Sequence, residues 1–144
     1  MQDELKVLLF EEAPDGVVLL DGNTGRVVEA NAEYRRQAGR ALEALRRMPV
    51  WQLCPPFIVE LERARFRAAA QGEEARLWQL SYLRPDGTEL SAEVRARPLG
   101  LRGRRYLLAV SRDITEHRTA ERMMQGELDE LRRLQRLLSE KAGA

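Results

Sequence analysis

The sequence predicts an α+β fold in which a five-stranded antiparallel sheet carries short helices on one face. A helix is expected at each end of the chain, and the C-terminal one is long. Strand-like runs are joined by tight, glycine-containing turns, which is typical of antiparallel neighbours. Elsewhere the apolar period changes from two residues to about 3.6, as amphipathic helices require. The 144 residues are 44% hydrophobic and 33% charged, the composition of one folded domain.

The first segment, residues 2–12, predicts a short amphipathic helix that ends before Pro14. The runs 16–21 and 26–31 flank a turn containing glycine and asparagine, which predicts a β-hairpin. The apolar face of the N-terminal helix comprises Leu5, Leu8 and Leu9.

Helical spacing follows from Asn31, a residue suited to capping, and Gly39 is expected to divide this segment into two short helices. Prolines make residues 48–56 irregular. Residues 57–71 predict another helix. Its apolar face is expected to comprise Phe57, Leu61, Ala64 and Ala68.

The C-terminal half returns to strand periodicity in the runs 76–84, 88–97 and 104–114, which are separated by glycine-containing turns. The last run is apolar on both faces, which favours a central strand or one whose outer face is also covered. An outer apolar patch is expected from Tyr106, Leu108 and Val110, with Trp78, Leu80 and Tyr82 as a further contribution. A polar-rich helix is expected over residues 115–141.

Three motifs in this order resemble the PAS family. The first, APDGVVLLD…GRVVEAN over residues 13–31, is similar to the family's opening hairpin and the asparagine that starts its short helices. The second, RPDGTELSAEVRARPL over residues 84–99, is similar to its turn and fourth strand. The third, Asp113-Ile114-Thr115, resembles the D-I-T signature at which a PAS core leads into its signalling helix. The resemblance covers about residues 6–118.

The resemblance implies a five-stranded antiparallel sheet with helices packed on one face around an internal pocket. It also implies a sensory and dimerisation module that relays a signal to an output domain outside this chain, such as a histidine kinase or a cyclic-dinucleotide enzyme. We divide the chain into an N-terminal capping helix (1–13), a PAS core (14–114) and a C-terminal signalling and coiled-coil helix (115–144). The expected signal relay is Asp113, Ile114 and Thr115.

The residues disfavour the flavin and haem chemistries of PAS proteins, and the cofactor, if there is one, is unknown. Light-sensing members carry a flavin-attacking cysteine in an N-C-R-F-L-Q motif, whereas Cys54 stands in W-Q-L-C-P-P. Ser111 occupies the position that matches the fifth-strand flavin glutamine. The only histidine, His117, lies outside the expected pocket, which disfavours haem ligation. One cysteine and one histidine cannot complete a zinc or iron–sulfur site, so no metal is expected.

A ligand pocket in the core would be lined by apolar residues, and the alternative is a fully packed core. Buried polar anchors are few, which favours a small apolar or aromatic ligand. Acidic residues such as Glu60 and Glu62 are expected on the solvated surface. The candidate lining residues are Leu19, Met48, Trp51, Phe57, Leu61, Leu90, Ala92, Leu107 and Ala109.

The C-terminal helix carries the 4-3-4-3 spacing of a short coiled coil, at Met124, Leu128, Leu131, Gln135 and Leu138. A homodimer is therefore expected, formed through the N-terminal helix, the outer sheet face and the C-terminal helix. The candidate interface residues are Leu5, Leu8, Leu9, Tyr106, Leu108, Val110, Met124, Leu128, Leu131 and Leu138.

Several function classes are excluded or disfavoured. The net charge of +1 gives no excess of positive charge for binding nucleic acid. A signal peptide and a membrane span are both absent from the pattern, so a cytoplasmic protein is expected. Two alternatives stay open: a ligand-free PAS protein–protein interaction module of a transcriptional regulator, and a small α+β enzyme. The enzyme is disfavoured because the chain lacks a nucleophile elbow, a P-loop and a dinucleotide-binding glycine motif.

Overall fold

The computed structural model describes residues 1–143 and divides into two compact units, residues 1–113 and the segment from Ile114 onward. Residue 144, which belongs to the predicted signalling helix, lies outside the described residues. The helices are α1 (Gln2–Glu11), α2 (Ala32–Ala38), α3 (Leu42–Leu45), α4 (Val59–Gln71) and α5 (Thr115–Gly143). The strands are β1 (Gly16–Asp21), β2 (Val27–Ala30), β3 (Arg76–Leu83), β4 (Glu89–Leu101) and β5 (Arg104–Asp113). Two 3₁₀ turns, Val50–Leu53 and Pro56–Ile58, precede α4.

The five strands form one antiparallel sheet in the order β2-β1-β5-β4-β3, which confirms the predicted fold class. The last strand in the chain, β5, is the central one because it pairs with β1 on one side and β4 on the other. Its alternate residues Leu107 and Ala109 lie in the core, whereas Tyr106, Leu108 and Val110 form the second apolar face, on the outer side of the sheet.

The inner face of the sheet forms the core, which includes Val18 and Leu20 of β1, alternate residues of β4 and Leu107 of β5. The prediction that Trp78, Leu80 and Tyr82 share the outer face is wrong. Directly opposed residues of antiparallel strands point to the same face. Tyr82 pairs with Leu90, Leu80 with Ala92 and Trp78 with Val94, and all three partners are buried.

The buried face of α4 also differs from the prediction. Phe57 is 86% exposed and Leu61 is 49% exposed, so neither faces the core. The residues that do are Glu62, Phe66, Ala69 and Ala70. Phe57 belongs to the 3₁₀ turn before the helix, and the inward spacing includes a glutamate. The sequence pattern pointed to the wrong face because an ionisable residue occupies one of the buried positions.

Asn31 begins the helical segment as predicted and joins several elements. Its side-chain Oδ1 accepts hydrogen bonds from the backbone N–H groups of Tyr34 (3.0 Å) and Val17 (2.8 Å). Its Nδ2 donates to the carbonyl oxygens of Phe10 and Asp15, each at 3.0 Å. This one buried side chain therefore caps α2 and fixes the path from the end of α1 into β1.

Candidate functional site

A cavity of about 40 Å³ lies within the core, between the inner sheet face and α4. A space of this size holds about three groups as large as water, whereas pockets for drug-sized ligands usually measure ~300–1,000 Å³. Its wall is formed by Val18, Leu20, Tyr34, Val50, Trp51, Cys54, Glu62, Leu80, Tyr82, Val94 and Ala109.

The predicted pocket residues have three different positions. Trp51 and Ala109 lie on the cavity wall. Leu90, Ala92 and Leu107 are buried in the surrounding core, and Met48 packs against it. The other three predicted lining residues do not face the core. Phe57 and Leu61 are exposed, and Leu19 points to the outer sheet face between the buried residues Val18 and Leu20.

Glu62 supplies a buried carboxylate to the cavity wall, so its predicted place on the solvated surface is wrong. It is 4% exposed. Arg65 Nη1 donates to Glu62 Oε1 at 2.7 Å, and Trp78 Nε1 donates to Glu62 Oε2 at 3.1 Å. A buried carboxylate is tolerated when both oxygens are paired in this way. The cavity wall therefore includes one buried carboxylate whose two oxygens both accept hydrogen bonds.

Cys54 is also part of the wall and is buried. Burial, with a smaller effect from the negative charge of Glu62, raises the pKa of its thiol to about 12. The thiol therefore stays protonated at neutral pH and lacks the thiolate character that nucleophilic cysteines need. This environment suits a structural residue.

Two tyrosines meet at the cavity. The rings of Tyr34 and Tyr82 pack edge to face with centroids 5.7 Å apart. Burial raises the pKa of Tyr34 well above its usual value and that of Tyr82 to about 12, so both hydroxyls stay protonated. The Tyr82 hydroxyl lies 3.0 Å from Ser111 Oγ, which in turn donates to Gln37 Oε1 at 2.7 Å.

Sequence reasoning missed most of this polar cluster. The sequence singles out Ser111 only as a departure from the flavin motif, and no motif points to Gln37. The one available signal is the spacing of Gln37, three residues after Tyr34 and beside Ala38 in a predicted helix, both of which are buried. That signal is weak because a glutamine at such a position is more often exposed.

The last residue of β5, Asp113, is tied to α2. Arg36 Nη2 donates to Asp113 Oδ2 at 2.9 Å, and the same guanidinium forms two 2.7 Å hydrogen bonds with Glu33. These bonds lower the pKa of Glu33 and raise that of Arg36. Helix α5 begins two residues later, at Thr115, with Ile114 between them. Within this segment the N–H of Arg118 donates to the Ile114 carbonyl at 2.9 Å.

The candidate interface residues leave apolar surface uncovered in the single chain. Val110 is 37% exposed on the outer face of β5, and Tyr106 and Leu108 are half-buried there. The leucines of α1 and the apolar residues of α5 are 43–70% exposed; they are Leu5, Leu8, Leu9, Met124, Leu128, Leu131 and Leu138. Within each element, clustered exposed apolar residues of this kind commonly mark an interaction surface.

Two features are absent from the part of the chain that the structure describes. None of its helices is both long and apolar enough to span a bilayer. No cluster of histidine, cysteine and acidic side chains within residues 1–143 is arranged to hold a metal ion.

Comparison with known families and structures agrees with this geometry. The family model described as PAS fold matches residues 10–119, which is most of the chain. The chain therefore belongs to the PAS family, whose members are sensory domains. No curated protein matches the sequence.

Solved structures show the same fold. The chain is 27% identical to the PAS domain of an HTR-like protein from Haloarcula marismortui; the match covers 78% of this chain and 92% of that one, with a TM-score of 0.68. A domain of a sensory box sensor histidine kinase/response regulator from Geobacter sulfurreducens is 21% identical, with coverages of 78% and 94% and a TM-score of 0.64. An RNA-binding light-oxygen-voltage receptor is 17% identical, with coverages of 88% and 37% and a TM-score of 0.74.

Proposed function

We propose that this chain is a PAS sensory and dimerisation module that passes a conformational signal from its core through α5 to an output domain outside the chain. One observation carries the proposal. The residue that ends the core strand, Asp113, is held by Arg36 of α2, and a helix with uncovered leucines at heptad spacing begins two residues after it. A movement at the end of β5 would therefore act at the start of a helix that is suited to pairing.

A sensor histidine kinase is our first choice of output, and a cyclic-dinucleotide enzyme the second. The support comes from the names of the solved relatives, two of which are described as domains of sensor histidine kinases. The fold alone does not determine the output, because one fold serves many functions.

The small cavity gives specific support to a ligand-free or nearly ligand-free core. Space for about three water-sized groups suits a very small ligand or ordered water. This observation also favours the second candidate function, a PAS module of a transcriptional regulator that acts through protein–protein contact alone.

Leu131→Glu tests the helix pair. Leu131 occupies the centre of the heptad stripe and is 59% exposed in the single chain. A buried leucine contributes roughly 1.5–3 kcal/mol, and each dimer would lose two of them and gain two charges. We expect the dissociation constant measured by native mass spectrometry and analytical ultracentrifugation to rise by at least about 100-fold.

The matched control is Leu101→Glu, which replaces a leucine of similar exposure, 60%, in the β4–β5 hairpin. This control should leave the dimer unchanged. A wild-type chain that is monomeric at micromolar concentration, or equal weakening by both variants, would contradict the proposal.

A further inference from the structure

We infer that Gln37 couples the cavity to Asp113 through a directed chain of hydrogen bonds that runs along α2. The inference rests on the proposed function and adds a route to it. The cavity tyrosine at one end of the chain is Tyr82, and the other end is the ion pair between Arg36 and Asp113.

The amide of Gln37 has only one satisfactory orientation. Its side chain is completely buried. Nε2 donates to Glu33 Oε2 at 2.9 Å and to the backbone oxygen of Ser111 at 2.8 Å, while Oε1 accepts from Ser111 Oγ at 2.7 Å. A flipped amide would place Oε1 against two acceptors, so the partners determine which atom is the nitrogen.

This orientation gives the chain a direction. A serine hydroxyl carries one proton, and that of Ser111 is donated to Gln37 Oε1. In the 3.0 Å contact between Tyr82 and Ser111, the tyrosine must therefore be the donor. Tyr82 donates to Ser111, Ser111 donates to Gln37, and Gln37 donates to Glu33.

The hydrogen-bond chain ends at the surface of the core. Both carboxylate oxygens of Glu33 accept from Arg36, which also donates to Asp113. The Arg36 side chain is 53% exposed, so this ion pair alone contributes little to stability. Because the ion pair is weak, its geometry can change when Glu33, which also holds Arg36, loses the hydrogen bond from Gln37.

A cavity occupant that accepts the Tyr82 proton would break the chain at its first step. Ser111 would lose its donor, which weakens the bond that it donates to Gln37, because successive hydrogen bonds polarise one another. Strand β5 is a less suitable route, since Ser111 pairs with Gly16 of β1 and with Val94 of β4. Moving the strand would disturb backbone ladders on both sides, whereas reorienting one amide changes two or three bonds.

A double-mutant cycle with Tyr82→Phe and Gln37→Met tests the route in the full chain. The readout is the solvent-exchange rate of the Arg36 Nε proton, measured by NMR together with the Asp113 carboxylate carbon shift. We expect Tyr82→Phe to speed Arg36 Nε exchange by at least about threefold, as a coupling of ordinary size would. In the Gln37→Met background, Tyr82→Phe should have no further effect.

Two controls separate coupling from general loosening. The Nε group of Arg46 donates to the Val28 carbonyl at 3.1 Å and is not a member of the hydrogen-bond chain. Its proton should therefore exchange at an unchanged rate. Tyr106→Phe removes a tyrosine hydroxyl from the outer sheet face and should leave Arg36 unaffected. If Gln37→Met does not fold, Ser111→Ala breaks the chain one step earlier and serves as the background.

Two results would overturn the inference. One is an unchanged Arg36 exchange rate in Tyr82→Phe. The other is equal acceleration in the wild-type and Gln37→Met backgrounds, which would place the coupling on another path. Either result leaves the proposed function standing if the dimer still depends on Leu131.

Discussion

Asn31→Ala is expected to lower the free energy of unfolding by about 3–5 kcal/mol, measured by chemical denaturation followed by circular dichroism. The side chain is completely buried and makes four hydrogen bonds to backbone groups. Alanine leaves two N–H groups and two carbonyl groups without these partners. Loss of a helix cap alone typically costs about 1 kcal/mol, and the additional effect comes from the other three bonds.

Asn31→Asp refines this test. Aspartate keeps both acceptor bonds to Val17 and Tyr34 but places an oxygen against the carbonyl groups of Phe10 and Asp15. We expect a loss close to that of alanine. Asn23→Ala, in the exposed β1–β2 turn, is the control and should change stability by less than about 0.5 kcal/mol. A loss below about 1 kcal/mol in Asn31→Ala would show that the four bonds contribute little.

Gly25→Ala is the second large effect, with an expected loss of about 2–4 kcal/mol by the same measurement. Gly25 has φ of +74°, and an added Cβ would lie 2.3 Å from Cζ3 of Trp51. The Gly25 carbonyl also accepts from the N–H of Val50 at 2.8 Å, which holds this turn against the 3₁₀ segment that carries Trp51. The indole would have to move, and it is part of the cavity wall.

Gly87→Ala is the matched control, because Gly87 has φ of +89° but an added Cβ would meet nothing within 4 Å. It isolates the backbone penalty, which is roughly 1–2 kcal/mol. The excess loss in Gly25→Ala measures the clash with Trp51. Equal losses in the two variants would contradict the close packing of Trp51 on this turn.

The sequence predicted the strands well because their patterns are local. Period-two alternation and glycine-containing turns identify each hairpin, and Asn31 and Gly39 determine where α2 begins and ends. The single five-stranded antiparallel sheet with helices on one face was implied by the resemblance to PAS proteins, which depends on several motifs together, whereas the strand order β2-β1-β5-β4-β3 was not predicted.

The polar interior could not be predicted, since its partners are far apart in the chain. Gln37 and Ser111 are 74 residues apart, and neither residue type indicates burial. Glu62 is similar: its burial depends on Arg65 and on Trp78 of another element. The inward orientation of β3 depends on its register with β4, because a shift of one residue would reverse every side chain.

In the proposed relay, a change in the core acts through Asp113 on a pair of α5 helices. Disulfide formation between paired α5 helices tests it most directly, using Leu131→Cys on the heptad stripe and Arg132→Cys beside it. Burial and the raised pKa of Cys54 keep the native thiol unreactive, so the disulfides that form join only the introduced cysteines.

The measurement compares the ratio of the two cross-linking rates in the wild-type background and with Asp113→Asn. Asparagine weakens the ion pair with Arg36 while preserving the size of the side chain. We predict that the ratio changes by at least about threefold, as expected for a coupling of about 0.7 kcal/mol. An unchanged ratio, with both backgrounds equally dimeric, would contradict the relay through Asp113.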